Sequence, residues 1–223
     1  KIEREHLTIE KIALEVEGAF QLPALLFSPR QPGKKAVLYL HGESMTADAA
    51  PGGAIEQLVA QGCIVLAAEL RGIGETETGK RRKAFGAGRF GPDNLEILTA
   101  YLMGKSFVGM RTDDVMAWSA FLKSRAPGIH LQAIGEAAIP ALHAAALIPG
   151  AFGAGSLRRL IKAWEPLAGD VETFDQSVNI VHGALRDYDL PDLIEMAGRD
   201  RVTIEEPVDG MGKGARGVLK QER

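Results

Sequence analysis

The sequence has one cysteine, few aromatic residues, no excess of basic charge and no long apolar run. Cys63 stands alone among 223 residues, which excludes an intrachain disulfide and any multi-cysteine zinc site, although it leaves the compartment open. Asp and Glu number 29 against 26 Lys and Arg, a net charge of -3, so the basic face that general nucleic-acid binding needs is missing. No apolar stretch approaches the roughly 18 residues of a membrane span, and no signal-peptide pattern opens the chain. Because the first residue is Lys1 rather than Met, the chain is expected to be a processed form or a piece of something longer. A chain of this length buries roughly 70% of the surface it exposes when unfolded, so it can build a full core without staples.

What is present alternates between strands and helices. Leu7–Ile9, Ile12–Val16 and Phe20–Phe27 read as strands, with Pro23 assigning the last to a sheet edge. After the Pro32-Gly33 turn, Ala36–Leu40, Cys63–Ala68 and Ile129–Ile134 are short unbroken apolar runs, the mark of strands covered on both faces. Arg201–Glu205 is a further strand candidate. Helical periodicity covers Ala54–Gln61, stopped by Gly62, then Leu95–Leu102 and Asp114–Lys123, and the Ala-rich Ala137–Leu147. Strands interleaved with helices imply βαβ units and a parallel sheet. The basic, glycine-rich stretch from Gly79 to Gly91 reads as a mobile loop, and the chain contains no internal repeat.

Four segments carry a resemblance. His41-Gly42 follows a buried strand. Glu69-Leu70-Arg71-Gly72-Ile73-Gly74-Glu75-Thr76 follows the next. Leu102 to Arg111 runs into Asp114-Val115, and Gly183 to Leu193 precedes the last strand candidate. Together they resemble the α/β-hydrolase superfamily, in particular bacterial acetyl-xylan-esterase-like and prolyl-oligopeptidase-like hydrolases. The resemblance implies an α/β fold: a doubly wound, mostly parallel sheet with helices on both faces, an antiparallel N-terminal edge and the last strand missing. Residues 1–223 are expected to form one domain, which could belong to a larger multidomain esterase. It also implies that His41-Gly42 is the oxyanion loop, and it leans towards a secreted or periplasmic setting.

Such hydrolases place a nucleophile on a strained G-x-S-x-G turn between a strand and a helix. Here the corresponding segment is Gly135-Glu136-Ala137-Ala138-Ile139, which puts Ala137 where the nucleophile belongs and isoleucine where the closing glycine belongs. A methyl group cannot attack a carbonyl. The acid should follow Arg201–Glu205, where Asp209 is the candidate. The base should follow the acid, but all five histidines (His6, His41, His130, His143 and His182) precede Asp209. Nucleophile and base are each needed for triad chemistry, so none is expected from this chain.

Other candidates carry weaker signals. His41 either lines a pocket beside the elbow or merely closes its turn, and His130 and His143 read as satisfied core or boundary histidines because no second ligand recurs at metal spacing. Glu43, Glu69 and Glu136 end or follow neighbouring strands and could act as a carboxylate cluster, although the resemblance implies that Glu69 is a structural acid pairing with the following turn, with Arg71 neutralising it. Ser44 and Ser156 read as loop serines, and Cys63 as a small core residue. Two literal G-x-G-x-x-G matches, at Gly86–Gly91 and Gly212–Gly217, lack the strand–helix context and the acidic partner of a dinucleotide site, so no cofactor and no metal is expected. Lys80-Arg81-Arg82-Lys83 reads as a solvated loop that could meet an acidic partner or uronate. Trp118 reads as core, and Trp164 as a cleft cap or interface residue.

The expected function is thus a catalytically degenerate, carbohydrate-esterase-like domain serving as a structural or accessory module. Its expected partner is a catalytic hydrolase domain or a second copy of itself, with polysaccharide as a further candidate and neither nucleic acid nor membrane. One alternative is an active acetyl-xylan-esterase-like enzyme whose site is non-standard or completed from outside. The other is a small-molecule binding module using the vestigial pocket near His41, Glu136 and Ala137.

Overall fold

A computed structural model describes residues 1–77, 93–170 and 172–214. Its strands are β1 (Ile2–Glu3), β2 (Leu7–Val16), β3 (Phe20–Pro29), β4 (Lys35–His41), β5 (Ile64–Ala68), β6 (Gly128–Ile134), β7 (Ala154–Arg158) and β8 (Val202–Glu205). They form one sheet in the order β1-β2-β3-β5-β4-β6-β7-β8. β1, β2 and β3 are an antiparallel meander that joins β5 antiparallel. From β5 through β4, β6 and β7 to β8 every pairing is parallel. The expected antiparallel N-terminal edge and mostly parallel sheet are therefore present, and β8 is the final strand among the described residues.

The helices are α1 (Ala54–Ala60), α2 (Asn94–Leu102), α3 (Phe107–Lys123), α4 (Ala138–Leu147), α5 (Glu165–Gly169) and α6 (Leu190–Ala197). The unbroken apolar strands face helices on both sides, because consecutive side chains point to opposite faces. Leu38, Leu40, Leu131 and Leu157 pack with Val115, Trp118 and Leu122 of α3 and with Leu142 of α4. Val37, Tyr39 and Val65 pack on the other face with Ile55 and Val59 of α1. α4 is buried along nearly its whole length, as its lack of a polar face implies.

Several boundaries differ from those the pattern implied. Leu7–Val16 is one continuous strand rather than two. β3 is an interior strand, not an edge, despite Pro23. Pro23 pairs with Ala13 on the β2 side, and its carbonyl accepts the Glu69 amide at 3.1 Å, just past the last β3–β5 pair, Ala24 with Ala68. The missing N–H would face the Glu69 carbonyl just beyond the end of β5, and that carbonyl accepts Trp118 Nε1–H at 3.0 Å instead, so it is not left unpaired. α3 begins at Phe107, with the Ser106 hydroxyl accepting the Gly109 amide at 3.1 Å as its cap. The helix expected from Asp114 thus starts seven residues earlier, across a stretch where the charged Arg111 occupies a core position. β7 has weak strand propensity (Ala-Gly-Ser-Leu-Arg) and exists because β6 and β8 pair with it on both sides.

Candidate active site

The C-terminal ends of β5, β4 and β6 lie side by side, at the edge where open α/β sheets bind ligands. β6 passes into a single 3-10 turn, Gly135–Ala137, and then into α4. The left-handed residue of this bend is Gly135, at φ +64°, whereas Ala137 has ordinary helical angles of φ -79° and ψ -14°. The strained position therefore lies two residues before the one read from the G-x-S-x-G spacing. Glycine takes this conformation without the penalty that a Cβ brings. A Cβ built on Gly135 would meet nothing within 4 Å, whereas the Ala137 methyl is fully buried. A side chain at Gly135 would project into open space, as a nucleophile must, but glycine has none. Neither position offers an oxygen or a sulfur.

The loop after β4 is pinned to this bend. His41 pairs in register with Ile134, and the Gly42 amide donates to the Ile134 carbonyl at 2.9 Å. A Cβ on Gly42 would lie 2.7 Å from the Glu136 nitrogen, closer than real contacts allow, so this crossing requires glycine. The His41 ring is held by the Glu43 amide, which donates to Nδ1 at 3.1 Å, and its Nε2 lies 3.9 Å from Asp48 Oδ2. That Asp48 oxygen also accepts the Tyr39 hydroxyl at 2.6 Å. Burial and the Asp48 carboxylate push the Tyr39 hydroxyl up, so it remains a donor.

Around the elbow lies a network of buried charges. Arg71 donates to Asp114 from its backbone N–H (2.9 Å), from Nε (2.9 Å to Oδ2) and from Nη2 (2.6 Å to Oδ1), and it also reaches Glu17 at 3.3 Å. Burial pushes the Asp114 carboxyl up against these donors, while Arg71 is itself raised, the Asp114 bonds outweighing its burial. We take the pair as ionised, because both carboxylate oxygens face N–H groups. Arg111, fully buried on α3, donates to the Arg71 carbonyl at 2.9 Å and to Glu136 at 3.3 Å, and lies 3.7 Å from Asp93. Its guanidinium also stacks over the Phe107 ring, 4.5 Å from the centroid. Arg111, Asp114 and Asp93 were not singled out as site residues. The signal was available: Arg111 falls on the α3 stripe of Val108, Val115, Trp118 and Leu122, and a charge in such a stripe needs a buried partner.

This network corrects the expectation for Arg71, which pairs with Asp114 and Glu17 and not with Glu69. Glu69 does pair with the following turn, accepting the Glu75 amide at 2.7 Å, and it also accepts the Met45 amide at 3.2 Å. Burial pushes its carboxyl above the ordinary value against the pull of those amides. Glu136 binds Arg111 and Glu43 is exposed, so the three carboxylates have separate surroundings.

The other candidates fall into place. His143 is buried on α4; its Nδ1 lies 2.8 Å from the Ile139 carbonyl, which can only accept, so Nε2 accepts from the Tyr188 hydroxyl at 3.1 Å. Burial pulls its pKa down, consistent with this neutral ring. Trp164 packs against both rings and donates Nε1–H to Asn179, which makes it core rather than a cleft cap. Trp118 is likewise core, donating to the Glu69 carbonyl at 3.0 Å. Cys63 is buried. His130 is half-buried on β6, His182 sits edge-on to Tyr101, and His6 is exposed. Asp209 follows β8, and its Oδ1 accepts the Met211 and Lys213 amides, both at 2.9 Å, so it organises its own turn. Ser44 bonds Thr46 within its loop, whereas Ser156 lies on β7 rather than in a loop and donates to Glu205 at 2.7 Å. Lys80–Lys83, the Gly86–Gly91 motif and the end of the Gly212–Gly217 motif lie outside the described residues. Among the described residues no group of three or more His, Cys, Asp or Glu is placed to hold a metal, and no helix is long and apolar enough to cross a membrane.

A mostly parallel doubly wound sheet, with a sharp glycine bend leading from β6 into a buried helix beside the loop after β4, is that of the α/β-hydrolase fold. One solved structure supports this fold. A Bacteroides fragilis protein assigned provisionally as an acetyl xylan esterase superposes with a TM-score of 0.74 at 13% identity, covering 92% of this chain and 60% of that one. The chain thus spans about three fifths of that protein's length. The Pyrococcus furiosus esterase Pf2001 gives 0.49 at 18% identity, over 69% of this chain and 52% of that one. Est1E from Butyrivibrio proteoclasticus gives 0.44 at 14% identity, over 67% and 50%. No protein-family model matches the chain, and no curated protein matches it in sequence.

Proposed function

We propose that this chain is a hydrolase-fold domain that does not hydrolyse, and that it serves as an accessory module to a carbohydrate ester hydrolase. The observation that carries this reading is Gly135, the one residue of the elbow with the strained backbone and open space of a nucleophile site, and a residue with no side chain. A histidine supplied from elsewhere would find no oxygen to activate. Glu136, the remaining reactive group of the turn, is engaged by Arg111. The accessory role draws support from α2, whose outward positions Leu95, Leu98 and Leu102 are 58%, 57% and 85% exposed. Three leucines at helical spacing on an outer face suit a protein contact rather than solvent.

The test is incubation of the purified chain with a fluorophosphonate probe and with 4-nitrophenyl acetate. Neither serine labelling nor turnover above the buffer rate is expected, and Gly135→Ser and Ala137→Ser should remain equally inactive. Turnover that rises in proportion to the concentration of the unmutated chain would end this reading.

A further inference from the structure

The two ends of one sheet face are finished differently. Over β5 and β3 this face carries α1 and an apolar layer. Over β6, β7 and β8 the same face carries His130, Gln132, Ser156, Arg158, Thr203 and Glu205, all half-buried or exposed. Their side is fixed by alternation, since Ile129, Leu131, Ala133 and Leu157 belong to the core on the opposite face. A parallel sheet normally buries both faces in apolar contacts, so a polar face here calls for a physical account.

The strand register assembles these residues into a trough. Tyr39, Gln132 and Ser156 stand in one row, and Ile134, Arg158 and Glu205 in the next. α1 and the residue that caps it supply the wall with Gln57 and Gln61, and the cavity measures about 270 Å³. Arg158 and Glu205 are direct neighbours across β7 and β8, yet they do not pair. The Glu205 carboxylate accepts the Ser156 hydroxyl at 2.7 Å, and the Tyr39 hydroxyl is committed to Asp48. Among the described residues the Arg158 side chain makes no ion pair and no hydrogen bond, and its Nε is buried without a partner. Arg158 is half-buried and its shielded Nε–H has no acceptor, a costly arrangement for that group, which an incoming oxyanion would relieve through paired N–H···O bonds. Gln57 Nε2 donates to the Gly52 carbonyl at 3.1 Å, which leaves its carbonyl oxygen and second N–H, with the Gln61 and Gln132 amides, as donors and acceptors of the kind that hydroxyl groups match.

We propose that this trough binds a hydroxylated monocarboxylate the size of one sugar ring, with its carboxylate on Arg158 and its hydroxyls among Gln57, Gln61 and Gln132. The polar lining argues against an apolar helix as occupant, because such a helix would leave Arg158 unpaired. The site lies on the sheet face rather than at the elbow, so it stands whether or not the elbow is inert.

The experiment is an amide NMR titration of the whole chain with glucuronate, with glucose and acetate run alongside. Glucuronate should give saturable shifts in the side-chain amides of Gln57, Gln61 and Gln132, with glucose and acetate each at least about tenfold weaker. Arg158→Ala should weaken glucuronate by about tenfold or more, and Glu205→Gln should bind it at least as tightly as the unmutated chain. Should Arg158→Ala fail to fold, Gln132→Leu tests the hydroxyl end and should also lose affinity. Absence of saturable shifts at concentrations well above millimolar overturns the proposal. Equal binding of acetate or of glucose overturns it as well, since one denies the hydroxyl contacts and the other the role of Arg158.

Discussion

Gly42 lies against the amide of Glu136 so closely that a methyl group on it would come within 2.7 Å of that nitrogen. The contact is backbone to backbone, with the Gly42 amide also donating to Ile134 at 2.9 Å, so neither side can yield by turning a side chain. This crossing fixes the loop after β4 to the bend after β6, the relation on which an oxyanion pocket depends. It is made by backbone atoms on both sides, so it does not depend on which side chains line the bend.

Gly42→Ala should therefore destabilise the fold by about 1–3 kcal/mol, the range for overpacking a site that cannot relax. In a domain of this size each kcal/mol lowers the midpoint by about 2–4 °C, so thermal unfolding followed by circular dichroism reads the effect directly. An unchanged midpoint would mean that the loop does not cross the bend as described.

Removing one partner of the Arg71–Asp114 pair leaves a buried charge uncompensated. Asp114 is fully buried and Arg71 nearly so. Arg71→Met or Asp114→Leu alone should cost about 3–5 kcal/mol, measured by urea unfolding. The double variant should lose much less than the sum of the two, because it strands neither charge.

His143 makes a prediction about pH. Burial lowers its folded pKa below the ordinary 6.5, so the unfolded chain binds this proton more readily than the folded one. The sign follows: its contribution is fully present above pH 6.5 and is lost as the pH falls through the depressed folded value. Urea midpoints of the unmutated chain and of His143→Phe, compared between about pH 7.5 and 5.5, should diverge, with the variant lacking this loss on acidification. Parallel curves would place the titrating group elsewhere.

The parallel strands and the elbow segment were legible because buried strands and amphipathic helices leave periodic apolar patterns. Ala36–Leu40, Cys63–Ala68 and Ile129–Ile134 each fell within a residue or so of β4, β5 and β6. The bend lies in the expected segment, Gly135–Ala137, but its positive φ is at Gly135 and not at Ala137, because spacing counts positions whereas backbone strain selects the residue that can take a positive φ. Arg111 concealed the first turns of α3 for a related reason: a charged side chain reads as surface until its partners, distant in the chain, are known.

Composition, apolar periodicity and the absence of an oxygen at Gly135 or Ala137 are properties of the sequence alone, since they depend on which residues are present and on local order. Pairing across the sheet decided the rest. It made a strand of Ala154–Arg158, placed Pro23 inside the sheet where no N–H is wanted, and set Arg71 on Asp114 rather than on Glu69. Each of these depends on contacts between segments far apart in the chain, and their free energy exists only once the backbone has brought those segments together.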